Sequence, residues 1–387
     1  MNAAWIYFAF LPLLLHLVQV VRWAAGFRGA IYRRDAGANV DEGDKRRTAE
    51  DLTVVLPVRN EATALPRILR DLAAGQCAPA EVIVIDDASE DGTVDGVQSL
   101  SAELPFAVRC IDNPGRGKKP GLSAGIRAAT TTWIVQVDAD VRVSPQFIGA
   151  VERHLASEGS ASDMLLLPLR LAGKAGGAPL SLFARLQALD FAAMQGWAVS
   201  AVRRGKPAMA SGGAWIWRAS AFPHSGLRPD IASGDDVFSL ATLIERGDGH
   251  RVGWCGEADA MASAAPMPDF GSLLDQRIRW GAKSTAYPKA LSEARRVAAT
   301  VAAVHIAGVA LLAIDPRSGL LFWAAKALID MAYTHGVGKA YGLFEGMPPL
   351  SRWANLFALA LTHPPFIITT LFLMPFRSVR WKGRATA

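Results

Sequence analysis

Cysteine is scarce and poorly placed for cross-linking. The 387-residue chain has 3, at Cys77, Cys110 and Cys255, far apart and with no CxxC pair. That excludes a disulfide framework and a zinc ribbon, and it points to folding in a reducing compartment. The 7 histidines are scattered, without HxxxH or His–Cys groupings, so no histidine-based metal site is written in the chain. Charged residues are only 20% against 51% hydrophobic, and the mean hydropathy is +0.20. Those proportions exclude a disordered or low-complexity chain and sit on the greasy side for a purely soluble one. Two nucleotide signatures are also missing. The stretch PGRGKKPGLS at 114–123 completes neither G-x-x-x-x-G-K-[ST] nor G-x-G-x-x-G, which disfavours a P-loop ATPase and an NAD dehydrogenase. A basic, glycine-rich loop opening a helix can still hold a phosphate through backbone N–H groups and Lys118. No 20–50-residue repeat is visible.

What is present begins with apolar runs. Residues 3–21 carry no charge and are long enough to span a bilayer. A cleaved signal peptide would read similarly, with Ala24, Ala25 and Gly26 as its small-residue site, but the basic residues Arg22, Arg28, Arg33 and Arg34 follow the run instead of preceding it. That order places the following segment in the cytoplasm. Residues 297–314 and 356–376 are also long enough to span. Between them, 319–333 is apolar but carries Lys326 and Asp330, one helical turn apart and within reach of each other. The basic tail after Phe376 belongs on the cytoplasmic side, so an even number of spans separates it from the middle of the chain. Residues 319–342 are therefore expected as a re-entrant or interfacial helix. Trp5, Trp23, Trp323, Trp353 and Trp381 fall near the ends of apolar runs, as an interfacial belt would. The net charge of +6 then reads as membrane flanks and not as a nucleic-acid surface, because the basic residues do not alternate with exposed aromatics. The expected division is an anchor over 1–22, a basic and polar linker over 23–50, a cytoplasmic domain over 51–290 and a membrane region over 291–387.

The middle of the chain alternates short apolar strands with helices. LTVVLPV (52–58), EVIVIDD (81–87), residues 106–110 and WIVQVDAD (133–140) read as strands; 62–74 and 120–129 read as helices. That alternation predicts an α/β fold with a mostly parallel sheet, in which ligands bind beyond the carboxyl ends of the strands. Acid clusters end two of those strands. Asp138 and Asp140 are alternate residues on the expected strand, so both carboxylates can face one point and suit Mg2+ or Mn2+. Asp86 and Asp87 fit hydrogen bonding to a nucleobase and ribose, or capping of the next helix. Gly234-Asp235-Asp236 precedes a helical pattern and supplies either helix-start acids or a general base. Gln276-Arg277-Ile278-Arg279-Trp280 puts Gln276 and Trp280 on one helix face with Arg279 beside them. Forked arginine donors suit a pyrophosphate and an indole suits a sugar ring, although the same helix also fits a membrane surface.

The ordered set VVLPVRNE (54–61), VIDDASEDGT (84–93), GKKPGLSAGI (117–126), VDAD (137–140), GDD (234–236) and QRIRW (276–280) resembles family 2 glycosyltransferases with the GT-A fold. It is most similar to the membrane-bound branch containing ceramide glucosyltransferases and polysaccharide synthases, over roughly residues 50–290. The resemblance implies a GT-A sheet flanked by helices. It implies that Pro57, Glu61, Asp86, Asp87 and Lys118 lie on the donor side, and that Asp138 and Asp140 form the metal-binding DxD. Asp236 matches the catalytic base, with Asp235 at a position where the family often has Glu. Gln276, Arg279 and Trp280 match QxxRW at the diphosphate and acceptor. Gly212 and Gly213 match a small-residue segment beside the acceptor.

The implied reaction is an inverting, metal-dependent transfer from a nucleotide sugar, uridine by resemblance, to a lipid acceptor at the cytoplasmic leaflet of a bacterial inner membrane. A processive polysaccharide synthase is the first alternative, disfavoured because three spans and one doubtful helix are few for a polymer channel. A catalytically dead nucleotide-sugar sensor is the second.

Overall fold

The computed structural model describes residues 4–31, 47–173, 179–228, 231, 233–247, 251–377, 380–381 and 384–385. Most of the expected linker, including Arg33 and Arg34, and most of the basic tail lie outside them. The described residues fall into two compact units, interleaved along the chain. A helical unit takes Met1–Arg28, Gly173–Arg204 and Pro266–Val379, and a sheet unit takes Gly29–Ala172, Gly205–Ala265 and Arg380–Ala387.

The chain opens with α1 (Ala4–Phe27) of the helical unit and then enters the sheet unit. There it forms β1 (Arg47–Val58), α2 (Leu65–Ala73), β2 (Cys77–Asp86), α3 (Thr93–Ser101), β3 (Ala107–Asp112), α4 (Lys118–Ala128), β4 (Trp133–Val137) and α5 (Phe147–Ser157). The short strands β5 (Met164–Leu166) and β6 (Leu169–Leu171) follow. After α6 (Leu182–Arg203) in the helical unit, the sheet unit is completed by β7 (Ala214–Arg218), α7 (Asp235–Glu245), β8 (Val252–Trp254) and β9 (Ala262–Ala264).

The main sheet has the order β3-β2-β1-β4-β7-β5-β8. Every pairing in it is parallel except those of β7, which runs antiparallel to both β4 and β5. The mostly parallel sheet flanked by helices is the arrangement expected from the resemblance. Residues 52–56 of β1 and all of β4 are buried, as strands covered on both faces must be. Helix α4 reaches the sheet through small residues. A Cβ on Gly125 would come within 2.5 Å of Ile85 Cδ1 and 2.9 Å of Val55 Cγ1. On the other side of the order, Trp215 and Trp217 of β7 are fully buried and meet edge to face at 5.5 Å, filling the space beside the central strands. The order reverses at β1, which has β2 on one side and β4 on the other, and this is where an open sheet of parallel strands leaves a crevice.

The helical unit adds α8 (Phe270–Ala282), α9 (Ser292–Ile314), α10 (Pro316–Ala340) and α11 (Pro349–Leu373). Phe8–Phe27, Lys289–Ile314 and Pro349–Leu373 are long and apolar enough to cross a membrane. Helix α10 is a continuous helix through the stretch expected to be re-entrant, and it carries the polar pair inside the unit: Lys326 Nζ lies 2.6 Å from Asp330 Oδ2, and His16 Nε2 of α1 lies 2.7 Å from Asp330 Oδ1. Trp23 corrects one expectation. It is 8% exposed and packs against Trp197 and Tyr333 inside the unit, so it is a core residue and not part of an interfacial belt. The side chains of Trp5 and Trp381 lie outside the described residues. A last antiparallel pair, β10 (Arg380–Trp381) and β11 (Arg384–Ala385), closes the chain.

Candidate active site

The carboxyl ends of β1, β2 and β4 open onto one cavity of about 110 Å3. Its lining includes Pro57, Arg59 and Glu61 after β1, Asp87 after β2, Gly117 and Lys118 at the start of α4, and Asp138 and Asp140 after β4. Six of the residues named from the sequence are thus brought together: Pro57, Glu61, Asp87, Lys118, Asp138 and Asp140.

The ends of β1 and β2 turn sharply through left-handed residues, Asn60 (φ +52°) and Ala88 (φ +56°). Neither is glycine, and for Ala88 the conformation costs on the order of 1–2 kcal/mol. The two turns brace each other. Asn60 N–H donates to Ser89 Oγ (2.9 Å), and Glu90 N–H donates to Asn60 Oδ1 (2.9 Å). Arg59 Nη1 donates to the carbonyls of Asp87 (2.6 Å) and Ala88 (3.1 Å). Arg59 and Asn60 lie inside the first motif but carry no distinguishing pattern of their own.

Asp87 is buried, and its carboxylate ties down the glycine-rich loop. Gly117 N–H donates to both oxygens at 3.1 Å, and Asn113 Nδ2 donates to Oδ1 at 2.9 Å and to the Gly117 carbonyl at 2.9 Å. Gly117 itself sits at φ +84°, a conformation that favours glycine. Asn113, which the sequence reading passed over, is the bridge between strand end and loop. Asp86 takes a different direction from Asp87, since neighbours in an extended chain point to opposite sides. It is not among the cavity-lining residues. Its Oδ2 accepts from Ser89 N–H (3.1 Å), and its Oδ1 is buried without a hydrogen-bond partner among the described residues.

Asp138 and Asp140 do not lie on a strand. β4 ends at Val137, and a tight turn follows in which Val141 N–H donates to the Asp138 carbonyl (3.0 Å). The pair reaches the same cavity through a turn instead of through strand alternation. Gln136 Nε2 orients Asp138 Oδ1 at 3.1 Å, and Asp138 N–H donates to the Gly213 carbonyl at 3.0 Å.

Lys118 occupies the centre of the acids. Its Nζ lies 2.7 Å from Asp138 Oδ1, 3.1 Å from Asp235 Oδ2 and 2.8 Å from the Gly212 carbonyl. Burial works against its charge, but the carboxylates of Asp138 and Asp235 outweigh that, and the ammonium is held above its ordinary pKa. Asp138 is pushed upward by burial; Lys118 opposes the shift, while the like charges of Asp140 and Asp235 add to it. The next residue has a separate job. Lys119 is 4% exposed, donates to the carbonyls of Arg228 (2.7 Å) and Ile231 (2.8 Å), and lies 4.7 Å from the Phe238 ring centre.

Asp235 and Asp236 form the first turn of α7, after Gly234 at φ +87°. Asp235 is buried and pairs with Lys118, whereas Asp236 faces Gly212: a Cβ there would come 3.3 Å from Asp236 Oδ2. At Gly213 a Cβ would come 2.7 Å from Leu169 Cδ2. So Gly212 and Gly213 join the acid cluster through their carbonyls and through the absence of side chains.

Gln276, Arg279 and Trp280 lie on α8, in the helical unit. Asp269 caps that helix, its Oδ1 accepting from Ser272 N–H at 2.8 Å. The sequence reading missed Arg277 between them. It is 8% exposed, its Nη2 donates to Asp190 Oδ2 of α6 (2.6 Å), and its guanidinium carbon lies 4.5 Å from the Trp280 ring centre. His363 Nε2 of α11 lies 3.4 Å from Asp190 Oδ1. Among the described residues no group of three or more His, Cys, Asp or Glu has metal-holding geometry.

Residues 53–168 match the family described as Glycosyl transferase family 2. The chain carries a family 2 glycosyltransferase domain. The match starts in β1 and ends after β5, so it contains the three strand ends that form the cavity. Among curated proteins, this chain is similar to the prophage bactoprenol glucosyl transferase homolog of Escherichia coli (strain K12). The two are 30% identical over 119 residues, 30% of this chain and 38% of that protein. It is also similar to the 4,4'-diaponeurosporenoate glycosyltransferase of Staphylococcus aureus (strain bovine RF122 / ET3-1), 34% identical over 92 residues, 24% of each. The matched segments span well under half of those relatives' lengths. A mannosyltransferase from Pyrobaculum calidifontis, solved in complex with GDP-Man and Mn2+, aligns over 97% of this chain and 96% of its own, with 18% identity and a TM-score of 0.49.

Proposed function

We propose that this glycosyltransferase moves a sugar from a nucleotide sugar, with uridine as the base, to a membrane lipid with inversion at the sugar C1. The observation that carries the reading is the convergence of Asp87, Lys118, Asp138 and Asp140 on one cavity at the β1 switch point, with Asp235 held to it through Lys118. Asp87 and the Gly117 loop suit the nucleoside end of the donor. Lys118 suits the diphosphate.

The acid pair fits a divalent cation. Asp138 and Asp140 supply hard carboxylate oxygens to one cavity, and the point already held by the Lys118 ammonium is surrounded by oxygen. Two protein carboxylates are what Mg2+ or Mn2+ takes when substrate phosphates complete the coordination. Bound there, the cation would offset charge developing on the departing diphosphate. Asp236, at the start of α7 and facing Gly212, is the group assigned to take the acceptor hydroxyl's proton, and Gly212 leaves room beside it for the incoming oxygen. Single displacement needs no covalent nucleophile from the protein.

A lipid acceptor is supported by the helices that can cross a membrane and by relatives named for bactoprenol and diaponeurosporenoate. The catalytic domain is assigned to the cytoplasmic side of a bacterial inner membrane, following the basic residues after α1. The test uses detergent-solubilised protein with Mn2+ or Mg2+, a bacterial lipid extract and a panel of nucleotide sugars. Nucleoside-diphosphate release from one donor, dependent on lipid and lost in Asp236→Asn, is the expected result. No release from any donor, with UDP binding intact, would overturn it in favour of a sensor.

A further inference from the structure

The contacts of Lys118 have a consequence for the order in which ligands enter the site. Its ammonium is held by Asp138, an acid assigned to the cation, and by Asp235, on a different helix. The Gly212 carbonyl is the third oxygen around it. We infer that Lys118 is the resident counter-ion of this site: without donor it neutralises Asp138 and Asp235, and it must release Asp138 before a divalent cation can bind. This rests on the proposed glycosyltransferase function.

The argument is electrostatic and geometric. One oxygen, Asp138 Oδ1, is only 2.7 Å from the ammonium, and it also accepts from Gln136. A cation ligated by that oxygen and the ammonium cannot share it without strong like-charge repulsion. The lysine can let go without leaving the site. Its four-carbon stem and three donors allow it to keep Asp235 and the Gly212 carbonyl while turning away from Asp138. The contrast with Lys119 is direct. Lys119 is pinned between two loop carbonyls and the Phe238 ring, and none of those three contacts is a site acid. An incoming diphosphate supplies what Lys118 loses, since its oxygens offer an ammonium a new anionic partner. Donor and metal therefore bind cooperatively, and metal alone binds weakly because it competes with a charge built into the chain. By linkage, the cation raises nucleotide affinity by the factor that the nucleotide raises cation affinity.

The experiment is Mn2+ binding to the purified full chain in detergent, read from the free Mn2+ electron paramagnetic resonance signal, with and without UDP. In the unsubstituted protein, Mn2+ should bind at least about tenfold tighter with UDP than alone, the scale of one charged hydrogen bond. In Lys118→Met, binding of Mn2+ alone should tighten about tenfold and the effect of UDP should shrink. Lys118→Arg keeps the charge and should keep weak binding of Mn2+ alone. Circular dichroism reports whether each variant is folded. Unchanged Mn2+ affinity in folded Lys118→Met overturns the inference and leaves the transferase reading standing. Equal Mn2+ affinity with and without UDP in the unsubstituted protein overturns it as well, without any variant. No Mn2+ binding even with UDP overturns the metal-dependent reading itself, and this inference with it.

Discussion

A methyl group placed on Gly212 would lie 3.3 Å from Asp236 Oδ2 and 3.4 Å from its carboxyl carbon. That spacing is tight, so Gly212→Ala should push the carboxylate by a few tenths of an ångström without blocking the nucleotide pocket. If Asp236 is the base proposed above, the expected outcome is a kcat lowered about tenfold with donor KM unchanged, because a displaced carboxylate loses alignment before the site loses substrate. Steady-state kinetics with varied nucleotide sugar check it.

Removing the carboxylate of the proposed base should be far more severe. Asp236→Asn should lower nucleoside-diphosphate release by about 10²-fold or more, the usual contribution of a positioned general base. UDP affinity, measured by calorimetry, should stay within about twofold, since the residue is assigned to the acceptor side.

Asp87→Ala should have the opposite signature. It removes the acceptor for Gly117 N–H and Asn113 Nδ2, which releases the loop that opens α4. Hydrogen bonds to a charged group contribute roughly 1.5–3 kcal/mol, so UDP affinity should fall about tenfold or more. Asn113→Ala should fall in the same direction by less.

Asp190 provides a pH test outside the cavity. Burial pushes its carboxyl up, but Arg277, with help from His363, holds it down to about 2 from an ordinary 3.8. The folded value is the lower one, so the pair's stabilisation is present above pH 4 and is lost as pH falls toward about 2. The difference corresponds to about 2 kcal/mol. Asp190→Asn should lower stability by about 3 kcal/mol at pH 7, because Arg277 is left buried with a weaker partner. The gap between variant and unsubstituted protein should narrow between pH 4 and pH 2 in chemical unfolding followed by tryptophan fluorescence.

The strands of the first half were legible because buried parallel strands are nearly continuous apolar runs: β1, β2 and β4 sit where LTVVLPV, EVIVIDD and WIVQV stand. The turn at Asp138 was not, since an Asp-Ala-Asp tripeptide fits both an extended end and a turn, and only the hydrogen bond from Val141 decides. β7 carries an aromatic-rich AWIWR, but its antiparallel direction depends on partners distant in the chain. For the site, residue type located Asp87, Lys118, Asp138 and Asp140. It could not separate Asp86 from Asp87, because that pair is told apart by which side each neighbour faces. Arg277 was hidden for a similar reason: the partner that reveals it, Asp190, is a lone acid in an otherwise ordinary helix.

The position of β7 also bears on how the chain is made. This strand lies between β4 and β5, yet it is synthesised after both, with all of α6 emerging in between. Until Arg218 leaves the ribosome, β4 has a bare edge made of the buried residues Trp133–Val137. An unpaired apolar edge is the feature that invites aggregation on nascent chains. The middle of the sheet therefore closes late and through distant contacts, which slows folding. A ribosome stalled just before residue 214 should carry a chain that binds holdase chaperones, and one stalled well past Trp254 should not.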